Sequence, residues 1–223
     1  LIRVLTHEIM NSIAPITSLS ETMSGYFNGK DGPRMPGDID EATIGNTIKG
    51  LGVIQERGKG LVNFVDSYRK LTHLHTPDYK DFNLQIFLEK TKLLLCSELN
   101  FDNINFSVNL QKPDMMLKAD ENLMSQVIIN LVRNSWEALC NQDNAIIQIK
   151  AHYNENQQTV IEIIDNGPGI PADLLDKIFV PFFTTRENGS GIGLSLSRQI
   201  MRLHGGSLTV QSVPGRTSFV IVL

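Results

Sequence analysis

The sequence has 223 residues, of which 41% are hydrophobic, and a formal net charge of −4 at neutral pH. That length holds one large domain or two small ones, and that apolar share excludes a disordered chain. The negative balance argues against non-specific nucleic-acid binding, and neither a signal-peptide pattern nor a bilayer-length apolar run is present. Cys96 and Cys140 fall in amphipathic helical patterns and read as buried, reduced thiols rather than a disulfide or a metal site.

Residues 1–25 carry Ile2, Leu5, Ile9, Ser12, Ile16, Leu19 and Met23 in alternating steps of three and four, the seam of a helix packed in a bundle. His7 lies off that seam. Glu8 adjoins it, and Asn11, one turn further on, shares its face. A neutral imidazole nitrogen is a good nucleophile near neutral pH, and a neighbouring carboxylate can hold the proton on the other nitrogen. Pro15 removes a backbone donor and is expected to bend the helix about two turns after His7.

Residues 26–40 are dense in glycine and proline and read as a loop. Helical steps resume with Leu51, Ile54, Gly58, Leu61, Val65 and Tyr68. Two helices and a loop make a hairpin that buries only one stripe, so two copies are expected to pair as a four-helix bundle in a homodimer. Gly45, Gly50, Gly52, Gly58 and Gly60 each cost the helix up to about 1 kcal/mol relative to alanine, and serve either pliability or close packing. His73 and His75, before Thr76-Pro77, read as the end of the helix and a linker, which divides the chain into residues 1–75 and 76–223.

The second part is mixed. Helices are expected at 84–99, 121–140 and 194–203, and strands at 104–110, 115–118, 145–151, 159–164, 207–211 and 217–222. Three helices on one face of a mixed sheet make a two-layer sandwich. The fold class is therefore α+β: a helical hairpin forming a dimeric four-helix bundle, then a two-layer α/β sandwich. Asn130 and Asn134 stand one turn apart within an apolar helix, and an amide oxygen suits Mg²⁺ bridging nucleotide phosphates.

Two glycine clusters, Asp165-Asn-Gly167-Pro-Gly169 and Gly189-Ser-Gly191-Ile-Gly193-Leu194, flank the segment Phe179-Val-Pro-Phe-Phe-Thr184-Thr185-Arg186. Glycines permit close backbone approach to a ligand, and a glycine run feeding a helix start offers free N–H groups to phosphate. Asp165 ends a strand, where its carboxylate is placed to accept from an exocyclic amine such as that of adenine. The run Gly167-Pro-Gly-Ile-Pro-Ala fits a dinucleotide fingerprint, but its prolines and the short stretch before Pro181 leave no room for a strand–helix–strand unit. No Walker loop occurs.

Taken together, these motifs resemble, in order and over nearly the whole chain, the sensor histidine kinases with their GHKL-type ATP-binding fold. His7-Glu-Ile-Met-Asn11 looks like the phosphoacceptor box, Asn130-Leu-Val-Arg-Asn134 like the N box, and Asp165 to Gly169, Phe179 to Arg186 and Gly189 to Leu194 like the first glycine box, the F box and the second glycine box. The resemblance implies ATP and Mg²⁺ as cofactors, His7 as the phosphorylated residue, Glu8 as its base and Asn11 as the residue that positions water to dephosphorylate a partner. It further implies that Asn134, assisted by Asn130, holds the metal, that Asp165 reads adenine, and that residues 179–190 form a lid with Thr184, Thr185 and Arg186 near the phosphates. The lid is expected to be poorly ordered without nucleotide. The implied partners are a second copy and the receiver domain of a response regulator, in the cytoplasm. Because the chain starts inside a helical pattern and ends inside a strand pattern, it reads as a piece of a longer protein whose remainder can be membrane-anchored. Many relatives carry proline directly after the position of Asn11, where this chain has Ser12. Hydrolytic relatives place a glutamate where this chain has Asn130, which favours phosphotransfer over ATPase chemistry. A non-catalytic dimeric scaffold is disfavoured by the intact Asn134, Asp165 and glycine boxes.

Overall fold

The computed structural model describes residues 2–29, 32–72, 74–140, 142–186 and 189–223, without the side chains of residues 2–5, 7, 8, 29, 38, 67 and 70. The chain divides into two compact units, residues 1–69 and 70–223.

In the first unit, helix α1 spans Ile2–Phe27 and continues through Pro15. The loop that follows holds two short paired strands, β1 (Asn28–Gly29) and β2 (Gly32–Pro33), and a 3-10 turn at Pro36–Asp38. Asp40 then accepts from the amide of Thr43 at 2.8 Å, and helix α2 runs over Glu41–Thr72. The seam residues Ile9, Ser12, Ile16 and Leu19 are half-buried and Met23 is buried. A methyl at Gly50 would sit 2.7 Å from the Met23 sulfur, so this glycine permits close packing, whereas Gly45, Gly52, Gly58 and Gly60 face open space. Leu51 and Val65, expected on the seam, are instead exposed. With Ile44, Ile48 and Val62 they form a second apolar stripe along α2 at heptad spacing, which the single hairpin leaves uncovered.

The second unit packs helices α3 (Leu84–Glu98), α4 (Glu121–Leu139) and α5 (Gly193–Leu203) with a five-stranded sheet. Its strands are β4 (Ile104–Leu110), β6 (Ala145–Tyr153), β7 (Thr159–Asp165), β9 (Arg216–Val222) and β8 (Ser207–Val213), in that spatial order. β4 runs parallel to β6 and the remaining pairs are antiparallel. A separate two-stranded ribbon pairs β3 (Lys80–Asn83) with β5 (Met116–Ala119). The expected strand at 115–118 thus belongs to this ribbon, one residue later than its period implies. The short stretch before Pro181 is a series of turns.

Helix α4 organises this unit. Asp120 caps it, accepting from the amides of Asn122 and Leu123. Burial raises the Asp120 pKa, but the Asp78 and Leu123 amides and His75 outweigh it and hold the carboxyl below its usual range. Leu123, Met124, Val127, Ile128, Leu131 and Val132 all point into the core against Ile147, Ile149, Ile161 and Ile163 of the sheet. Each fully buried aliphatic side chain contributes about 1.5–3 kcal/mol. Cys96 and Cys140, expected to be buried, are both exposed. Cys96 lies on the outer stripe of α3, whose inner stripe is filled by apolar residues, and Cys140 caps the C-terminus of α4 just beyond its last turn. No helix among the described residues is long and apolar enough to cross a membrane.

Candidate functional site

The side chains of β7 alternate, so Ile161, Ile163 and Asp165 all face the helices. The last of these brings a carboxylate to the rim of an apolar core. Asp165 is 3% exposed. One of its oxygens accepts from the hydroxyl of Ser135 on α4 at 2.8 Å, and the other from the amide of Gly167 at 3.0 Å. Burial pushes its carboxyl above the usual range, with those two donors pulling the other way. Each oxygen keeps a lone pair for an incoming amine. Its neighbour across the sheet, Thr217, is also buried and bonded to Ser212, whose hydroxyl accepts from the amide of Ile170. Polar groups thus line the end of the core face where Gly167 and Gly169 turn away from it. A methyl at Gly169 would meet the Val213 carbonyl at 2.8 Å.

Along α4, Asn130, Asn134 and Glu137 follow one another at four and three residues and share a stripe. Asn130 donates to the hydroxyl of Ser197 on α5 at 2.9 Å. A methyl at Gly193 would lie 2.0 Å from the Asn130 amide oxygen, so only glycine lets α5 start against this side chain. Gly193→Ala is expected to force Asn130 off Ser197 and to destabilise the unit by about 1–3 kcal/mol, read as a drop in thermal midpoint. An unchanged midpoint would mean that the helix start shifts without strain.

The intervening segment closes on itself at its base. The amide of Phe182 donates to the carbonyl of Gly191 at 2.8 Å. Gly191 has φ of 64° and packs so tightly on Phe182 that a methyl there would lie 2.4 Å from its backbone. Phe179 is held under the guanidinium of Arg198, 4.6 Å from the ring centre. Beyond this stem, Thr184 and Thr185 are exposed. The Thr184 hydroxyl accepts from the Arg186 amide at 3.1 Å, and a methyl at Gly189 would press on it. Leu194, at the start of α5, packs against the core. The expectation of disorder at the tip falls partly on residues 187 and 188, which lie outside the described ones.

Arg186 does not point away from the helix that carries the asparagines. It donates to the Asn134 side-chain oxygen at 3.3 Å and to the Asn134 carbonyl at 3.2 Å, and it forms an ion pair with Glu137. Burial lowers its pKa. The Asn134 amide nitrogen is buried and has no partner among the described residues.

Asp165, Asn130, Asn134, Arg186 and the glycines are therefore brought together around α4 and the ends of β7 and α5. His7, Glu8 and Asn11 are on α1, in the first unit. The side chains of His7 and Glu8 lie outside the described residues, and Asn11 is exposed. Sequence reasoning did not single out Ser135, Thr217 or Glu137. Thr217 was findable only through strand-pairing register and Ser135 only through the packing of α4 on β7, whereas Glu137 continues the Asn130–Asn134 stripe by one turn.

The buried carboxylate at the end of β7, the amide pair on α4 and the glycine-rich segment between β7 and α5 all fall within one matched region. Residues 119–223 match the family described as the histidine kinase-, DNA gyrase B-, and HSP90-like ATPases. The chain is 28% identical over 233 residues to the sensory histidine kinase/phosphatase NtrB of Rhodobacter capsulatus, covering 99% of this chain and 60% of that protein. Among solved structures, the catalytic domain of histidine kinase ThkA matches with a TM-score of 0.59 at 31% identity, over 66% of this chain and 95% of that one. ThkA in its complex with the response regulator protein TrrA matches in fold over 100% of this chain and 60% of that one, with a TM-score of 0.66 at 24% identity. The chain belongs to the sensor histidine kinases. It spans about three fifths of the length of the NtrB relative.

Proposed function

We propose that this chain is the core of a sensor histidine kinase that moves the γ-phosphoryl group of ATP to His7 and from there to an aspartate on the receiver domain of a response regulator. The observation that carries this reading is the buried Asp165 carboxylate, with acceptor capacity to spare, beside an α4 stripe whose Asn134 amide is half unsatisfied. In the transfer, a His7 ring nitrogen attacks the γ-phosphorus, an N–P bond forms and the P–O bond to ADP breaks. Glu8 holds the proton of the other ring nitrogen and offsets the charge that develops on the imidazole. Asn11 orients water when the same core removes phosphate from the regulator, an activity supported by the kinase/phosphatase name of the NtrB relative.

Asp165 reads the adenine amine. Thr184, Thr185, Arg186 and the amides of Gly189, Gly191 and Gly193 take the phosphates, the last at the start of α5. The residues present fit a magnesium ion: Asn134 offers a hard amide oxygen and a buried donor with no partner among the described residues, and Asn130 stands one turn away. When bound, magnesium would neutralise phosphate charge. Asn130, where hydrolytic members of the fold carry a glutamate, leaves no carboxylate there to activate water, which favours transfer over hydrolysis. ATP as co-substrate agrees with a cytoplasmic site of action.

Residues 1–75 are read as the dimerisation and phosphotransfer domain and residues 76–223 as the catalytic one. The exposed stripe of Ile44, Ile48, Leu51, Val62 and Val65 supports a homodimer, because a second hairpin would cover it as a four-helix bundle does. Light scattering at tens of micromolar is expected to give the mass of a dimer; a monomer with intact helices would remove this part of the reading. For the chemistry itself, incubation with γ-labelled ATP and Mg²⁺ is expected to place acid-labile phosphate on the chain. Absence of label despite measured ATP binding would reduce the reading to a binding module.

A further inference from the structure

Glu137 belongs to none of the motifs, yet it holds the one lid cation that reaches α4. Arg186 spends its guanidinium on a single turn of that helix: the side-chain oxygen of Asn134, the main-chain carbonyl of Asn134 and the Glu137 carboxylate. We infer that Glu137 is a positioning residue, which holds Arg186 on Asn134 and so makes release of Arg186 a condition of binding metal and nucleotide. The inference rests on the reading that nucleotide phosphates and magnesium bind beside Asn134.

The orientation of the Asn134 amide follows from its partners. Turned over, its NH₂ would face the guanidinium donors, so the oxygen must be the atom that meets Arg186. That oxygen is the atom a metal would need. A divalent ion coordinating it would sit close to a guanidinium already within hydrogen-bond reach, and the two cations repel. The same arrangement leaves the buried Asn134 nitrogen without an acceptor among the described residues, a deficit that a phosphate oxygen would remove. The held state is thus complete on the Arg186 side and incomplete on the Asn134 side. On binding, Arg186 would leave Glu137 for phosphate, which would free the Asn134 oxygen to hold a metal and let its nitrogen donate to phosphate. Glu137 acts only through Arg186 and touches no ligand.

Isothermal titration with a non-hydrolysable ATP analogue and MgCl₂ tests this in a double-mutant cycle. Glu137→Gln weakens the hold without removing the side chain's bulk. Because the pair is half-exposed, the expected gain in Mg–nucleotide affinity is about three- to fivefold. In an Arg186→Gln background, where there is no guanidinium to hold, Glu137→Gln is expected to change nothing. Unchanged or weaker binding in the single variant overturns the inference. So does a gain that persists without Arg186, which would reflect only the removal of a negative charge near an anionic ligand. If the wild-type chain binds no nucleotide, the site reading falls and this inference with it; equal affinities across the cycle overturn this inference alone.

Discussion

His7→Gln is expected to abolish acid-labile labelling from γ-labelled ATP, a loss of at least about 100-fold given the role of the covalent nucleophile, while ATP affinity stays within about twofold by calorimetry. Five histidines compete for the role. His204 is excluded by its bonds: one ring nitrogen lies 3.1 Å from the Asp120 amide and accepts from it, so the other must donate to the Ile200 carbonyl at 2.9 Å. Neither nitrogen is left to attack phosphorus. His75 meets the Asp120 carboxylate at 3.2 Å, and the same carboxylate accepts from the Asp78 amide, which makes this histidine part of the anchor of the 75–79 segment. His152 stands on β6 opposite Val160, with its ring 3.9 Å from the Glu162 carboxylate on β7. His73 lies outside the described residues and is tested by the same experiment. The proposed nucleotide residues all belong to residues 70–223, and His7 belongs to the other unit, which is why affinity should be indifferent to the change. Label that persists in His7→Gln, with the same acid lability, would mean another histidine is the acceptor.

The motif residues were legible because each carries its chemistry locally. Asp165 ends an alternating run, Asn130 and Asn134 repeat at one turn, and Asp120 precedes a helical period with a cap's side chain. What escaped depended on contacts distant in sequence. Strand β3 reads Lys80-Asp-Phe-Asn, with too little apolar alternation to declare a strand, and exists because it pairs with β5 more than thirty residues on. Leu51 and Val65 were assigned to a seam by period alone, yet a helix in a four-helix bundle needs two apolar faces, and the period does not say which face the hairpin covers. The cysteines misled for related reasons: Cys96, a small apolar residue in an amphipathic helix, sits as readily beside the buried stripe as within it, and Cys140 falls just past the end of its helix, where the period no longer fixes a face. The Arg186–Asn134 contact spans 52 residues and two motifs, each of which was readable while their mutual engagement was not.

Asp165→Asn is expected to weaken ATP binding by about 10- to 150-fold, the equivalent of the 1.5–3 kcal/mol that a hydrogen bond to a charged group contributes. The substitution is well suited to separate binding from folding. Asparagine can keep both local bonds, its oxygen accepting from the Gly167 amide and its nitrogen donating to a Ser135 hydroxyl that rotates to accept. What disappears is the charged acceptor left over for the adenine amine. Stability should move the other way. Burial holds the Asp165 carboxyl above the usual carboxylate range. The native state therefore binds a proton more tightly than the unfolded chain, and this group's stabilising contribution is full below the unfolded value and lost as pH rises through the raised native one. At neutral pH the ionised carboxylate is a cost that asparagine does not carry, so the thermal midpoint of the variant should hold or rise while its affinity falls. Affinity has a matching pH signature. A protonated Asp165 cannot accept from the amine with a full charge, so wild-type binding should weaken as pH falls into the raised range. Asp165→Asn shares only the titration of the nucleotide's own phosphates, so the difference between the two profiles isolates Asp165. Wild-type affinity in Asp165→Asn would place the adenine elsewhere, and a fall in affinity accompanied by a fall in midpoint would assign Asp165 to the fold rather than to the ligand.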